Sequence, residues 1–594
     1  MDRPVNTRAV RIGGASGFWG DSSVGAPQLV SHGEIDFLVF DYLAELTMSI
    51  LAAARAKNAE AGYATDFVDV TLKAILKDVV AKGIRVVSNA GGVNPEACAR
   101  AIAALAAEQG VSVKVATVVG DDVMSLLPQL RSEDVRELQS GAALPARLLT
   151  ANAYLGALPV KAALDAGAQI VVTGRCVDSA VTLGALMHAF GWSGQDYDLL
   201  SQGSLAGHII ECGCQATGGL HTDWQEVPDW AHIGYPVIEC QADGSFVVTK
   251  PPGTGGLVNP AVVAEQMLYE IGDPRRYLLP DVVCDFTGVT LTPAGEHRVR
   301  VEGAKGLPPP PSYKVSATYP DGFRCTAQLT VVGQDAVAKA RRTGEAILER
   351  TRELFAQNGW PDYTRTRIEV LGSEEGNFGP HARTSTSREV VLQVAVMHRD
   401  KAALELFARE IAPAGTSWSP GTTGAGGRPS PSPCIRQFAF LLDKSRLAPQ
   451  VLLEGQRLEV AIPPGSPPPE SGSDSDFPVQ PPPADAVEVP LIALAWARSG
   501  DKGDSSNIGV IARRPEWLPL LRGQLTEERV KQWLSHLVHG EVRRFEVPGI
   551  HAFNFLCTQA LGGGGMASLR NDPLGKGMAQ ILLTLPIRVP RGML

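Results

Sequence analysis

Several polar segments of this chain follow short apolar runs and carry side chains suited to proton transfer or anion binding. Asp41 and Glu45 come four residues apart, just after the apolar run Phe37–Phe40. That spacing puts two carboxylates on one face of a helix start. They can work as acid and base or share a cation; equally, they can serve as a cap and a charge favoured by the helix dipole. Arg175 and Asp178 follow the run ending at Thr173. A guanidinium grips a carboxylate or phosphate through two N–H groups, and Asp178 is a third candidate base. In the plainer reading Asp178 caps the next helix and Arg175 is its ion-pair partner. Gly13, Gly14, Ser16 and Gly17 lie in the string GGASGFWGD, where backbone can approach a ligand and present N–H groups to an anion. It lacks the G-x-G-x-x-G spacing and no Walker lysine follows, so a nucleotide is not indicated. Asn89 and Asn94 stand in a further polar segment, Ser88–Asn94.

Cys212 and Cys214, with His208 and His221 nearby, suggest a metal site or a nucleophilic thiolate. C-x-C is not the paired spacing of a zinc site, and no second cysteine pair is near. A glycine-rich packed turn with small buried thiols is favoured, and no metal is expected. Lys250 and Thr254 lie in KPPGTGG, where a lysine before a glycine-rich turn can receive an anion. No G-x-S-x-G nucleophile elbow is present. Near the C-terminus, Arg498–Asn507 reads as a ten-residue polar loop between two strands, far longer than the two residues a hairpin needs. Arg498, Asp501, Lys502, Asp504 and Asn507 are its candidate binding residues.

The elements that must position these groups alternate at first between strand and helix. Strands are expected near Ala9–Ile12, Phe37–Phe40, Arg85–Val87, Val111–Val118 and Gln169–Thr173, with helices between them. Asn94 and Pro95 mark the start of one helix, as N-cap and first helical residue. Such alternation of buried strands and helices predicts a parallel α/β sheet over about 8–228, with ligands beyond the strands' carboxyl ends. From about 229 to 460 the texture becomes α+β, with one strong helix near Ala336–Gln357. Residues 461–486 are rich in Pro, Ser and Gly, and read as a linker. A small α+β sandwich is expected over 487–594, with strands near Val489–Ala497, Ile508–Ala512, Val542–Val547 and Ile581–Pro586. His551 and Asn554 are placed to meet the polar loop across its sheet.

Composition narrows the classes. The chain has 594 residues, 54 basic and 63 acidic, for a net charge of −9, and shows no basic stripe for nucleic acid. Nine scattered cysteines fit reduced thiols in the cytoplasm. No segment reads as a signal peptide or a membrane span.

Six strings, GGASGFWGD, FLVFDYLAE, SNAGGVNP, GHIIECGCQATGG, TKPPGTGG and ARSGDKGDSSNIG, together resemble the acyclic terpene utilisation, AtuA-like family. The resemblance covers nearly the whole chain apart from the linker. It implies a large core followed by a small ferredoxin-like domain, and a place in the catabolism of branched acyclic terpenes through acyl-CoA intermediates. The expectation is a cytoplasmic, homo-oligomeric enzyme of hydratase or lyase type. Its substrate would be an acyl-CoA or carboxylate, with CoA entering only as part of that substrate and no firm cofactor; nucleic acid and membrane are not expected partners. The alternatives are a non-catalytic subunit of a catabolic complex and a hydrolase using Cys212 or Cys214. The loop at Arg498–Asn507 then marks an accessory domain that docks on the core and closes its site.

Overall fold

The computed structural model describes residues 8–383, 386–424, 427–470, 477–482, 485–565 and 567–593. The linker positions 471–476 and 483–484 lie outside the described residues.

The largest sheet has 11 strands. At its centre Val10–Gly14, Phe37–Phe40, Arg85–Ser88, Ile170–Thr173 and Val115–Val119 run parallel, in that spatial order. Phe37–Phe40 and Ile170–Thr173 are buried along their whole length, as short apolar strands covered on both faces must be. Helices Pro95–Gln109 and Ala180–Phe190 lie among the connections. The first opens on Asn94, whose side chain accepts from the Ala97 amide, with Pro95 next. Antiparallel strands extend both edges: Val237–Cys240, Phe246–Thr249, Val299–Glu302 and Thr290–Pro293 on one side, Gln450–Leu453 and Gln456–Glu459 on the other. The sheet therefore takes strands from both sides of residue 228.

A second sheet is organised by the strand Ser312–Val332. It pairs with Thr150–Ala153 and Ser432–Asp443 along its first part, and with Glu389–His398 and Thr422–Gly424 along its second. The helix Ala336–Gln357 packs its apolar residues Ala340, Ile347 and Phe355 into the core under this sheet.

The C-terminal module is a four-stranded antiparallel sheet, ordered Ala495–Lys502, Ser505–Ala512, Ala552–Cys557, Val542–Val547. Here the ten-residue loop expected from the sequence does not exist. The two strands continue inward until Lys502 pairs with Ser505, leaving only Gly503 and Asp504 as the turn. The polar residues are ladder residues, and their polarity belongs to what the strands face. Ile581–Pro586 is likewise not a strand: helix Met578–Leu582 precedes strand Pro586–Val589.

Side-chain alternation explains why these strands are buried on both faces. Ala497, Ile508, Val510, Phe553 and Phe555 point into the module's own core with helices Leu518–Gln524 and Met578–Leu582. Arg498, Gly500, Asn507, Gly509 and Ile511 face the large body. Two glycines make that approach possible: a Cβ on Gly509 would sit 2.6 Å from Leu268 Cβ, and one on Gly500 2.6 Å from Glu270 Cγ. No described helix is long and apolar enough to cross a membrane.

Gly509→Ala is expected to lower stability by about 1–3 kcal/mol through overpacking against Leu268, and to speed proteolytic cleavage in the linker. Gly415→Ala, where an added Cβ meets nothing within 4 Å, is the control in the same unfolding and proteolysis measurements.

Candidate active site

The carboxyl ends of the parallel strands converge, as expected for an open α/β sheet. Asp41 follows Phe40, Asn89 follows Ser88, and Arg175 lies two residues past Thr173. Asn89 is fully buried; its amide donates to Asp41 Oδ1 while its oxygen accepts from the Tyr42 amide at 2.7 Å. Asn89 thus fixes the Asp41 carboxylate. Asp121, beyond Val119, accepts from the Arg175 backbone amide at 2.9 Å and from Asn152 at 2.8 Å. Gly174 lets this happen, since a Cβ there would lie 2.4 Å from Asp121 Oδ1.

Asp41 meets Asp178 and Glu211 so closely that carboxylate oxygens of all three lie within 4.8 Å of one another. Glu211 follows helix Tyr197–Ile210 and pairs with His208 at 3.2 Å. Asp178 pairs with Arg175 at 3.0 Å and keeps 29% of its side chain exposed, so solvent reaches the group. Burial and the neighbouring Asp178 push Asp41 well above the usual carboxylate range. Burial also raises Glu211, with His208 opposing and Asp178 adding to the rise. Three adjacent carboxylates cannot all ionise without a counter-charge; the set can share protons or jointly hold a divalent cation.

Cations ring this group. The Arg175 guanidinium lies 4.2 Å from the centre of the Tyr154 ring, and the Lys314 ammonium 5.2 Å from it. Glu45 accepts from the Tyr154 hydroxyl at 2.6 Å and from Gln437 at 2.8 Å. Burial would raise Glu45, but Arg175, Lys314 and that hydroxyl bring it down to about 2. Glu45 is therefore a poor base and a good anchor. Its helix begins at Glu45 itself, after Ala44 in extended conformation; Asp41 directly follows the strand Phe37–Phe40, so the two do not share a helix face and Asp41 is not the cap of that helix.

Lys502 comes from the C-terminal module. Its ammonium lies 3.4 Å from Glu270. Burial works against its charge, but Glu270, Tyr277, Asp178 and Glu211 together hold it well above the usual lysine range. Lys576 bonds the Tyr269 hydroxyl and lies 3.2 Å from Asp501 and 3.4 Å from Glu270. Arg498 donates to Glu265 at 3.1 Å, to Gln266 at 3.0 Å, and to the carbonyls of Gln215 and Gly219. Asn507 donates to the Leu268 carbonyl and accepts from the Glu270 amide, and Asn554 donates to the carbonyls of Ile271 and Gly272 on the body. Asn554 does meet the strand of Asn507; His551 is exposed at the end of its own turn.

Other expected residues serve local structure. Gly14 and Gly17 admit the Ile210–Cys212 backbone, which an added Cβ would approach at 2.6 and 2.9 Å. Gly13 packs on Leu29. The Gly17 amide already donates to Asp21, and the Ser16 hydroxyl donates to the Asp41 carbonyl, so this segment helps to seat Glu211 and Asp41. Asn94 caps its helix and donates to the Ala59 and Ala61 carbonyls. Lys250 donates to the Thr254 carbonyl, and the Thr254 hydroxyl to the Pro251 carbonyl, closing their own turn. Asp504 accepts from the Leu561, Gly563 and Gly564 amides within its module. Cys212 sits beside the carboxylates, and burial with Glu211, Glu270 and Asp41 pushes its thiol far up; Cys214 is pushed up to about 12. Neither is an activated thiolate.

Sequence reasoning left out Tyr154, Glu211, Glu270, Tyr277, Lys314 and Lys576 as site residues. Lys314 carried a signal, as a lone cation between Tyr313 and Val315 in an apolar strand. Glu211 stands directly before Cys212, in a string whose cysteines and histidines draw the attention.

A family model described as acyclic terpene utilisation family protein AtuA matches residues 10–453. One described as AtuA ferredoxin-like domain matches residues 489–588. No curated protein matches the chain.

Burial raises the Asp121 carboxyl to about 6, against the opposing bonds from Arg175 and Asn152. A carboxyl raised on folding favours the native state below its ordinary value, and that contribution is lost as pH climbs through the raised one. Asp121→Asn should therefore gain in melting temperature relative to the wild type as pH rises from about 4 to about 7; a constant difference across that window would contradict the assignment.

Proposed function

The chain belongs to the acyclic terpene utilisation AtuA family, and from that premise we propose that it catalyses proton transfer of hydratase or lyase type on an acyl-CoA or carboxylate formed during acyclic terpenoid breakdown. The observation that carries this reading is the cluster of Asp41, Asp178 and Glu211, with oxygens within 4.8 Å and Asp41 and Glu211 raised in pKa. Adding or removing water across a carbon–carbon bond next to a carbonyl needs a base for the α-proton, an acid for the departing hydroxyl, and a cation for the enolate oxygen. Asp178, held against Arg175, is assigned as the base. A protonated Asp41 or Glu211 is the acid, with His208 able to exchange a proton with Glu211 at 3.2 Å. Arg175 and Lys502 are the cations facing the developing oxyanion.

In elimination, the α C–H pair becomes the carbon–carbon double bond as the β C–O bond breaks. The α-proton passes to Asp178, and the acid's proton leaves with the hydroxyl as water. Hydration reverses each transfer. The high-lying thiols of Cys212 and Cys214 speak against hydrolysis through a thioester. A divalent cation bound by the same three carboxylates would serve the enolate oxygen instead.

The test is α-proton exchange in D2O and water addition, measured on branched α,β-unsaturated and β-hydroxy acyl-CoA thioesters and on the free acids. Asp41→Asn, Asp178→Asn and Glu211→Gln should each reduce turnover by about 10²–10⁴-fold, whereas Cys212→Ser should stay within a few-fold. Loss of activity on chelation, restored by a divalent metal, would assign the cluster to cation binding. A purified protein that exchanges and hydrates none of these compounds would favour the non-catalytic subunit.

A further inference from the structure

On the other side of the Gly503–Asp504 turn from the carboxylate cluster, the body and the C-terminal module meet over a second group of charges. Strand Arg365–Leu371 presents Arg365, Arg367 and Glu369 on one face, and the module segment after the strand Ala552–Cys557 lies against it. Ala567 and Leu569 pack there with Ala395, Met397 and Cys434. Arg365 donates to the Gly562 and Ala567 carbonyls at 2.8 and 3.3 Å. Glu369 joins the two sides, accepting from Arg367 and from the Asn571 amide, both at 2.7 Å.

Arg570 is the unexplained member. It is only 8% exposed, and one terminal nitrogen bonds the Ala560 carbonyl. Its Nε and Nη2 are buried without any partner, and so is the Nε of the neighbouring Arg367. Burial and the like charge of Arg367 push Arg570 down. Acids near it are committed elsewhere: Glu369 to Arg367 and Asn571, Asp504 to the glycine amides, and Asp572 to the Lys576 and Gly577 amides. Buried donors of a charged group are costly when unmet, and three of them on two adjacent arginines call for an acceptor with several oxygens.

We propose that Arg367 and Arg570 form a binding site for a phosphate-class oxyanion at the seam between the body and the C-terminal module. The anion accepts from the N–H groups of these three unmet nitrogens, offsets the like charge, and ties the two modules together. Two sources share this chemistry: free inorganic phosphate, and a phosphate group on a larger ligand. The seam adjoins the turn whose Gly503 faces Gln437, and Gln437 bonds Glu45 in the carboxylate site. The inference stands on the arginines alone and does not depend on the acid–base reading.

The experiment is titration of the full chain with phosphate in the low millimolar range, followed by melting temperature and calorimetry against chloride at matched ionic strength. Matching and low concentration separate specific binding from the general stabilisation that excluded salts give. A saturable rise is expected in the wild type. Arg570→Gln and Arg367→Gln should weaken the dissociation constant by roughly tenfold or more, as loss of a charge-assisted contact does. Coenzyme A, dephospho-coenzyme A and pantetheine form the second arm. Stabilisation by coenzyme A but not pantetheine, at concentrations where phosphate alone is ineffective, assigns the site to a substrate tail; phosphate acting alone assigns it to the free ion. If either variant does not fold, Arg367→Lys and direct phosphate binding to the wild type carry the test. No saturable binding of any of these anions, or equal binding by the folded variants, overturns the proposal.

Discussion

The architecture depends on one buried ion pair between Arg498 and Glu265. Arg498 is 4% exposed and Glu265 is not exposed at all. Taking two such charges out of water is costly, and good geometry with further hydrogen bonds offsets that cost. Here Glu265 also accepts from His221, from the Thr222 amide and from the Thr222 hydroxyl, and that same hydroxyl bonds the Ala497 backbone. Arg498 reaches two carbonyls of the turn Gly213–Gly219 as well. The body thus offers acceptors to both terminal nitrogens of Arg498, while its Nε has no partner, and these contacts select the register in which the module's sheet sits. Asp223 reinforces that register, accepting from both terminal nitrogens of Arg513 at 2.6 Å and from the Trp496 ring nitrogen.

Fixing that register fixes Lys502. Four residues along the same strand and on the same face, it arrives beside Glu270 and faces the carboxylates of Asp178 and Glu211. Among the described residues six acids, Asp41, Glu45, Asp178, Glu211, Glu270 and Asp501, meet four cations, Arg175, Lys314, Lys502 and Lys576, and the raised Asp41 and Glu211 are the acids that can carry protons. Two of those four cations belong to the C-terminal module. The body alone would hold a concentration of acids with too few counter-charges, and burial would force more of them to take up protons. Packing and electrostatics are one problem here: the glycines that admit the module also decide how many carboxylates of the body can ionise.

Much of this was legible in the residues, and what was not has definite causes. Apolar runs located the parallel strands, and the polar residues just beyond them located Asp41, Asn89 and Arg175, because chain direction in a parallel sheet gathers strand ends. The helix at Pro95–Gln109 was legible from Asn94 and Pro95, whose chemistry is local. The hairpin at Arg498–Asn507 was misread for the opposite reason. Its strands are buried against two partners, and the face toward the body is polar because Arg498, Asn507 and Lys502 each have a specific acceptor or counter-charge there. Alternation of that kind looks like a solvent loop until the partner is known. Lys250 and Thr254 misled because a lysine beside a glycine-rich turn can bond its own loop as readily as a ligand. Glu211, Glu270 and Lys314 come from a helix end, a helix exit and the start of a long strand, and only tertiary packing brings them together.

The connection between body and module shapes how the site assembles. It is held on the body where the Ser466 amide donates to Pro309 and Arg276 donates to Pro469, and on the module where Arg522 donates to Pro478 and the Gln480 amide to Pro519. With both ends seated close to the interface, the tether turns association into an intramolecular step. Covalently linked modules meet at an effective concentration on the order of millimolar, so the ammonium of Lys502 is delivered to its carboxylates independently of how much protein the cell makes. Covalent fusion thereby fixes the stoichiometry of the site at one cation-bearing module for each acidic pocket.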